Sequence, residues 1–144
     1  MKKIAVITGA SSGIGREFAL QIAQKYKTVE EIWLIARRKD RLTEVKAQIK
    51  AVSNKLVRIL ALDLTDETDI KFYRNLLERQ NPSIRVLVNA AGYGIAGHFE
   101  NMTVDDVTGM ICGFEIHGTQ FFESTWKRAG GERHHGDSCM SWTG

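Results

Sequence analysis

From Thr8 to Gly15 the chain reads Thr-Gly-Ala-Ser-Ser-Gly-Ile-Gly, a run of small residues able to wrap backbone around an anion. Lys3 to Thr8 before it is an apolar run of strand length, and Ile14, Phe18, Ile22 and Tyr26 after it recur at helical spacing. A glycine-rich turn in that setting offers backbone N–H groups and the positive end of a helix to a phosphate. Gly9 would permit the tight turn out of the strand, Gly13 the approach of backbone to a pyrophosphate, and Gly15 the packing of helix on strand. Ser11, Ser12, Ile14 and Arg16 complete the candidate site. The plain alternative is a glycine turn with no ligand; the strand–turn–helix setting favours a nucleotide.

Some twenty residues on, dinucleotide sites that use NAD place a carboxylate on the ribose 2′-hydroxyl. This chain reads Leu34-Ile35-Ala36-Arg37-Arg38 there. No acid is present, and two guanidinium groups stand where a 2′-phosphate would lie. Arg16 is expected to reach the same phosphate from the other side. Bidentate arginine–phosphate pairing then favours NADP over NAD, against the alternative that Arg37 and Arg38 are solvated loop residues.

These residues need a scaffold, and the first ninety or so residues supply alternating strand and helix signals. Helix is expected from about Ile14 to Tyr26, then an apolar run Glu31 to Ala36. A helix capped by Asp40 follows, with Leu42, Val45, Ile49 and Val52 as its stripe. Leu56 to Leu62 is a third strand. Thr65 is expected to cap a helix that buries Ile70, Tyr73, Leu76 and Leu77, and Asn81-Pro82-Ser83 to break it. Ile84 to Val88 is a fourth strand, ending in Asn89-Ala90-Ala91-Gly92. Strict alternation with nearly continuous apolar strands predicts an open α/β sheet of parallel strands with helices on both faces.

Three of these segments together resemble the short-chain dehydrogenase/reductase family. Thr8 to Gly15 is similar to its Thr-Gly-x-x-x-Gly-x-Gly cofactor motif, Asn89 to Gly92 to its Asn-Asn-Ala-Gly motif, and Asp63-Leu64 to the position where its Asp contacts the adenine ring. The resemblance covers residues 2 to 111. It implies a Rossmann-type fold in which Asn89 steadies the central sheet while Ala90, Ala91 and Gly92 border the cofactor. It also implies hydride transfer between NADP(H) and a carbonyl or alcohol substrate, and the Ala36-Arg37 pair resembles the NADP-preferring members.

That chemistry needs a tyrosine with a lysine four residues later, because a phenol of pKa near 10 must be tuned toward neutrality to act as acid and base. The three tyrosines are followed at that distance by Glu30, Leu77 and Gly97. Phe114 or Glu115 stands where the family has a relay asparagine, and no serine-bearing fifth strand is legible. The expectation is a partial fold, incomplete after the fourth strand: a dinucleotide-binding region over 1–110 and an atypical, irregular tail over 111–144, as in a truncated or frame-shifted chain. No residue is assigned to catalysis. The alternatives are a noncatalytic NADP(H)-binding or interaction module, and a structural protein with an empty glycine turn. The exposed fourth strand is expected to favour self-association.

Bulk properties narrow the classes further. With 144 residues, 43% hydrophobic and 26% charged, the chain suits one soluble domain. A net charge of +3 and pI near 9.0 come from cations interleaved with acids along helices, so no nucleic-acid partner is expected. No apolar run reaches membrane-spanning length, and Cys112 and Cys139 form no disulfide framework, so a cytoplasmic setting is expected. His134, His135 and Cys139 match no zinc spacing, and no metal is assigned.

Overall fold

A computed structural model describes residues 1–91 together with Ser124, Thr125 and Arg128. Their elements run β1 (Lys3–Thr8), α1 (Gly13–Lys25), β2 (Glu31–Ala36), α2 (Lys39–Val52), β3 (Leu56–Ala61), α3 (Glu67–Gln80) and β4 (Ser83–Asn89). The strands form one sheet in the order β3-β2-β1-β4, and every pairing is parallel. This is a Rossmann-like sheet, with β1 at the point where strand order reverses.

Side chains alternate across the sheet as strand geometry requires. Ala5, Ile7, Ile32 and Leu34 meet Ala19, Ile22, Leu42, Val45 and Ile49 of α1 and α2 on one face. Ile4, Val6, Trp33 and Ile35 meet Ile70, Tyr73 and Leu77 of α3 on the other. Covering both faces makes the central strands apolar throughout: Ile4, Ala5, Val6 and Ile7 of β1 are all wholly buried.

The helices depart from the sequence expectation in instructive ways. On α1 Ile14 and Phe18 are 72% and 48% exposed, its C-cap Tyr26 is 49% exposed, and the buried face is Gly15, Ala19, Ile22 and Ala23. Small residues win there because they let the helix lie close against β1 and β2. Val52, in the last turn of α2, is also exposed. Arg38 rather than Asp40 is the N-cap of α2, with no side-chain cap bond, and Asp40 sits in the first turn where the helix dipole favours a negative charge. Asp66 rather than Thr65 caps α3, its carboxylate accepting from the backbone N–H of Thr68 and Asp69. That helix ends at Asn81 in the left-handed conformation (φ 45°), with Pro82 next in sequence.

Trp33 and Tyr73 pack edge to face with ring centroids 6.3 Å apart. The Arg58 guanidinium lies 5.1 Å from the Trp33 ring centre and reaches on to Glu31. Buried Tyr73 also shares a hydroxyl–hydroxyl hydrogen bond of 3.0 Å with buried Thr125. Of the stretch expected to be an irregular tail, three residues are described, and Ser124, Thr125 and Arg128 are helical.

Candidate functional site

In a parallel sheet all strands point the same way, so Thr8, Ala36, Leu62 and Asn89 bring four connecting segments to one rim. At its centre the chain leaves β1 through Gly9 (φ 64°) and enters α1 through Gly13 (φ 56°). Both lie in the left-handed region that L side chains rarely adopt. A Cβ on Gly9 would collide with the Ala90 carbonyl, and one on Gly15 with the Gly9 carbonyl. A Cβ on Gly13, by contrast, would meet nothing within 4 Å. The backbone is therefore close-packed on its inner side and open at Gly13.

The first turn of α1 faces that opening. Ser12 is its N-cap in extended conformation, its hydroxyl makes no capping bond, and no acidic residue lies in the first turn. The leading N–H groups of α1 thus have no side-chain acceptor among the described residues, the arrangement that suits an anion. Ser12, Gly13 and Ile14 are exposed here and Ser11 is half-buried.

Thr8 organises the neighbouring segment. It is wholly buried, and its Oγ1 donates to Asn89 Oδ1 at 2.8 Å. The same oxygen accepts from the N–H groups of Ala90 and Ala91, each at 3.1 Å. One hydroxyl thereby fixes Asn89, Ala90 and Ala91 beside the glycine turn. Gly92 lies outside the described residues. In the sequence Thr8 stands immediately before Gly9, and its partner Asn89 lies 81 residues away.

On the other side of β1, the Ala10 N–H donates to Ile35 O at 3.3 Å, tying the turn to the end of β2. Arg37 and Arg38 follow at once and are both exposed. Arg16 lies in the first turn of α1 and is exposed. Its Nε donates to Gln48 Oε1 at 3.1 Å, linking α1 to α2. Gln48 is ten residues along α2 from Arg38, roughly 15 Å at the helical rise.

Beyond β3, Asp63 is held in a compact turn. Its Oδ1 accepts from the Thr65 N–H at 2.9 Å and the Thr65 hydroxyl at 2.6 Å, while its own N–H donates to Asp69 Oδ2 at 2.8 Å. Leu64 turns inward against the α3 face of the core. These contacts fix Asp63 at the rim, next to Ala36, whose carbonyl accepts from Leu62 N–H at 3.0 Å.

The described tyrosines stay out of this region. Burial pushes the Tyr73 hydroxyl well above the ordinary phenol range, the Thr125 hydrogen bond only partly opposing it. Tyr26 is at the far end of α1, and Tyr93, Phe114, Glu115, His134, His135 and Cys139 lie outside the described residues. Among the described residues no three His, Cys, Asp or Glu side chains cluster as metal ligands, and no helix is long and apolar enough to cross a membrane.

Comparison with known proteins places this geometry. The chain is 36% identical over 98 residues to an 11-beta-hydroxysteroid dehydrogenase of Pinus massoniana, covering 68% of this chain and 27% of that protein. It is 29% identical over 141 residues to a very-long-chain 3-oxoacyl-CoA reductase of Schizosaccharomyces pombe, covering 94% of this chain and 40% of that one. In structure it superposes on a short-chain dehydrogenase from Sphingobium yanoikuyae in complex with NADPH, with TM-score 0.72, 30% identity, 89% of this chain and 48% of that one. The chain thus spans half or less of each of these relatives. The short chain dehydrogenase family model matches residues 3–120, through the glycine turn, the four strands and the Asn89 segment, and this chain belongs to that oxidoreductase family.

Proposed function

We propose that the rim binds NADP(H), with the pyrophosphate at the open face of Gly13 and the leading N–H groups of α1. Gly9, Ser11, Ser12, Ile14 and Gly15 would form the cradle, Asp63 and Leu64 the adenine wall, and Asn89, Ala90 and Ala91, continuing to Gly92, the side toward the nicotinamide. Arg37 and Arg38 would take the 2′-phosphate, preferring NADP to NAD. The observation that carries this reading is the pairing of an uncapped, acid-free helix start with two exposed arginines directly after β2. Room for the group at Gly13, where a Cβ would meet nothing within 4 Å, supports the same reading. Arg16, which donates to Gln48 here, would approach the same 2′-phosphate from the other side.

When bound, the nicotinamide supplies or accepts a hydride, which in this reading passes to or from a carbonyl or alcohol substrate in the whole enzyme. Thr8 would keep Asn89, Ala90 and Ala91 in register beside that reaction. Within these 144 residues no tyrosine is followed by lysine four positions on, so the chain by itself is expected to bind without turnover. That absence favours a second reading, a noncatalytic NADP(H)-binding module. Self-association along β4 and a reducing, cytoplasmic setting belong to the same proposal, as does a boundary near residue 110 between the cofactor region and the rest.

The test is a titration of NADPH, NADH and adenosine 2′,5′-bisphosphate against wild type and Arg37→Ala. Loss of one charge-assisted phosphate contact should weaken NADPH about 10- to 100-fold and leave NADH nearly unchanged. Equal losses for both would refute the 2′-phosphate assignment. Turnover of NADPH by the 144-residue chain would refute the prediction that it binds only.

A further inference from the structure

At the end of the sheet opposite the cofactor rim, a shallow concavity of about 520 Å³ follows the outer side of β3. Leu56, Val57, Arg58 and Ile59 all line it, so it wraps the strand's edge and not one face of the sheet. The backbone there is oriented for pairing. Leu56 N–H donates to Glu30 O at 3.1 Å and Leu62 N–H to Ala36 O at 3.0 Å, so the even-numbered residues of β3 face β2. A strand residue presents its N–H and C=O to the same side, so Val57 and Ile59 turn theirs outward. Among the described residues no strand lies beyond β3.

The lining is strongly cationic. Lys46 and Lys50 stand one helical turn apart on α2, and neither makes an ion pair among the described residues. Lys2 and Arg58 both grip Glu31, at 3.3 Å and 3.0 Å. That carboxylate is 6% exposed and neutralised twice over, so it offers an incoming anion little repulsion. Leu56, half-exposed, adds an apolar floor. Lysines on a sheet edge discourage pairing with a like copy, since each copy brings the same charges. An acidic strand meets the opposite situation.

We propose that the outer edge of β3 is a docking site for an extended acidic segment of a partner protein, added as a further strand with carboxylates over Lys46 and Lys50. Backbone bonds to Val57 and Ile59 would supply affinity, and the lysines would supply selection by charge. The proposal does not depend on the cofactor reading, because no residue of that site lines this concavity.

The test uses the full 144-residue chain and a fluorescent heptapeptide alternating Glu and Val, compared with the same peptide carrying Lys for Glu. Anisotropy should rise with the acidic peptide alone. Binding should weaken about tenfold in Lys46→Glu/Lys50→Glu and about threefold in Lys50→Glu, whose exposed site leaves the core untouched. Amide exchange at Val57 and Ile59 should slow when the acidic peptide is bound. Failure of the acidic peptide to bind, equal binding of both peptides, or unprotected Val57 and Ile59 amides would each overturn the proposal. Full competition by inorganic polyphosphate without amide protection would replace it with a simple anion patch.

Discussion

β3 and β4 are both outer strands of the described sheet, yet one is dressed for solvent and the other for a neighbour. Beside β3 stand Lys46, Lys50 and Lys2, while Arg58 crosses Trp33 to a buried carboxylate. Lys55, just before the strand, bonds Val29 O at 2.6 Å. On β4 the run Val86-Leu87-Val88 is only partly buried on both faces of the sheet. Its single cation, Arg85, falls at the register shift where β4 pairs with Ile4 and Ala5 of β1. Charged side chains blunt an edge, whereas an apolar edge invites pairing. The contrast assigns β3 the role of a terminus that selects its partners by charge. It gives β4 the side-chain chemistry of an interior strand, which is the basis of the proposed self-association.

The largest expected effect comes from cutting the β1–β4 connection. Thr8→Val keeps shape but strands the N–H groups of Ala90 and Ala91 and the Asn89 side chain, and should cost about 2–3 kcal/mol in denaturant unfolding. An unchanged midpoint would mean water replaces the hydroxyl at no loss. On the β3 side, Glu31→Gln should cost about 1–2 kcal/mol, modest because Lys2 is half-exposed and screened.

That second effect carries a pH signature. Burial works against ionising Glu31, but hydrogen bonds from Arg58 and Lys2 outweigh it and hold the carboxyl below its ordinary 4.5. A folded value below the unfolded one stabilises fully above the ordinary carboxylate range and fades as pH falls through the folded value. The stability gap between wild type and Glu31→Gln should therefore be full at neutral pH and narrow steadily below about pH 4.5. A gap independent of pH would contradict the ion-pair account.

Two smaller effects address the edges directly. Leu87→Lys should cost about 1 kcal/mol of stability while shifting sedimentation toward monomer; oligomers that persist would remove β4 from the proposed contact. Lys46→Leu/Lys50→Leu should change stability by no more than about 0.5 kcal/mol per site yet make the chain associate in a concentration-dependent way. If it stays monomeric, the lysines are not what guards β3.

Much of this fold was legible in the residues because its strands are short apolar runs set between turn signals. Their limits fall within about a residue of expectation. The face of α1 was not, since Ile14 and Phe18 carry the stronger hydrophobic signal while Ala19 and Ala23 do the packing. Periodicity identifies a helix; which side goes down depends on how closely the sheet lets it approach. The helix caps were displaced for a related reason: Thr65 is drawn to Asp63, leaving Asp66 to cap α3. At the rim, the glycine turn and the arginine pair could be read from local spacing. The Thr8 hub and the Arg16–Gln48 link could not, because their partners lie 81 and 32 residues away and only the folded sheet brings them together.

That separation of 81 residues has a consequence during synthesis. Of the four described strands β1 leaves the ribosome first and β4 last. At about 5–20 residues per second, roughly 4–16 s pass between them. Through that interval β1, whose Ile4, Ala5, Val6 and Ile7 end wholly buried, has β2 on one flank and no other described strand on its second. The amide ledge around Thr8 is therefore a late product of translation, and a nascent chain stalled before Asn89 would present β1 to chaperones or to another nascent chain.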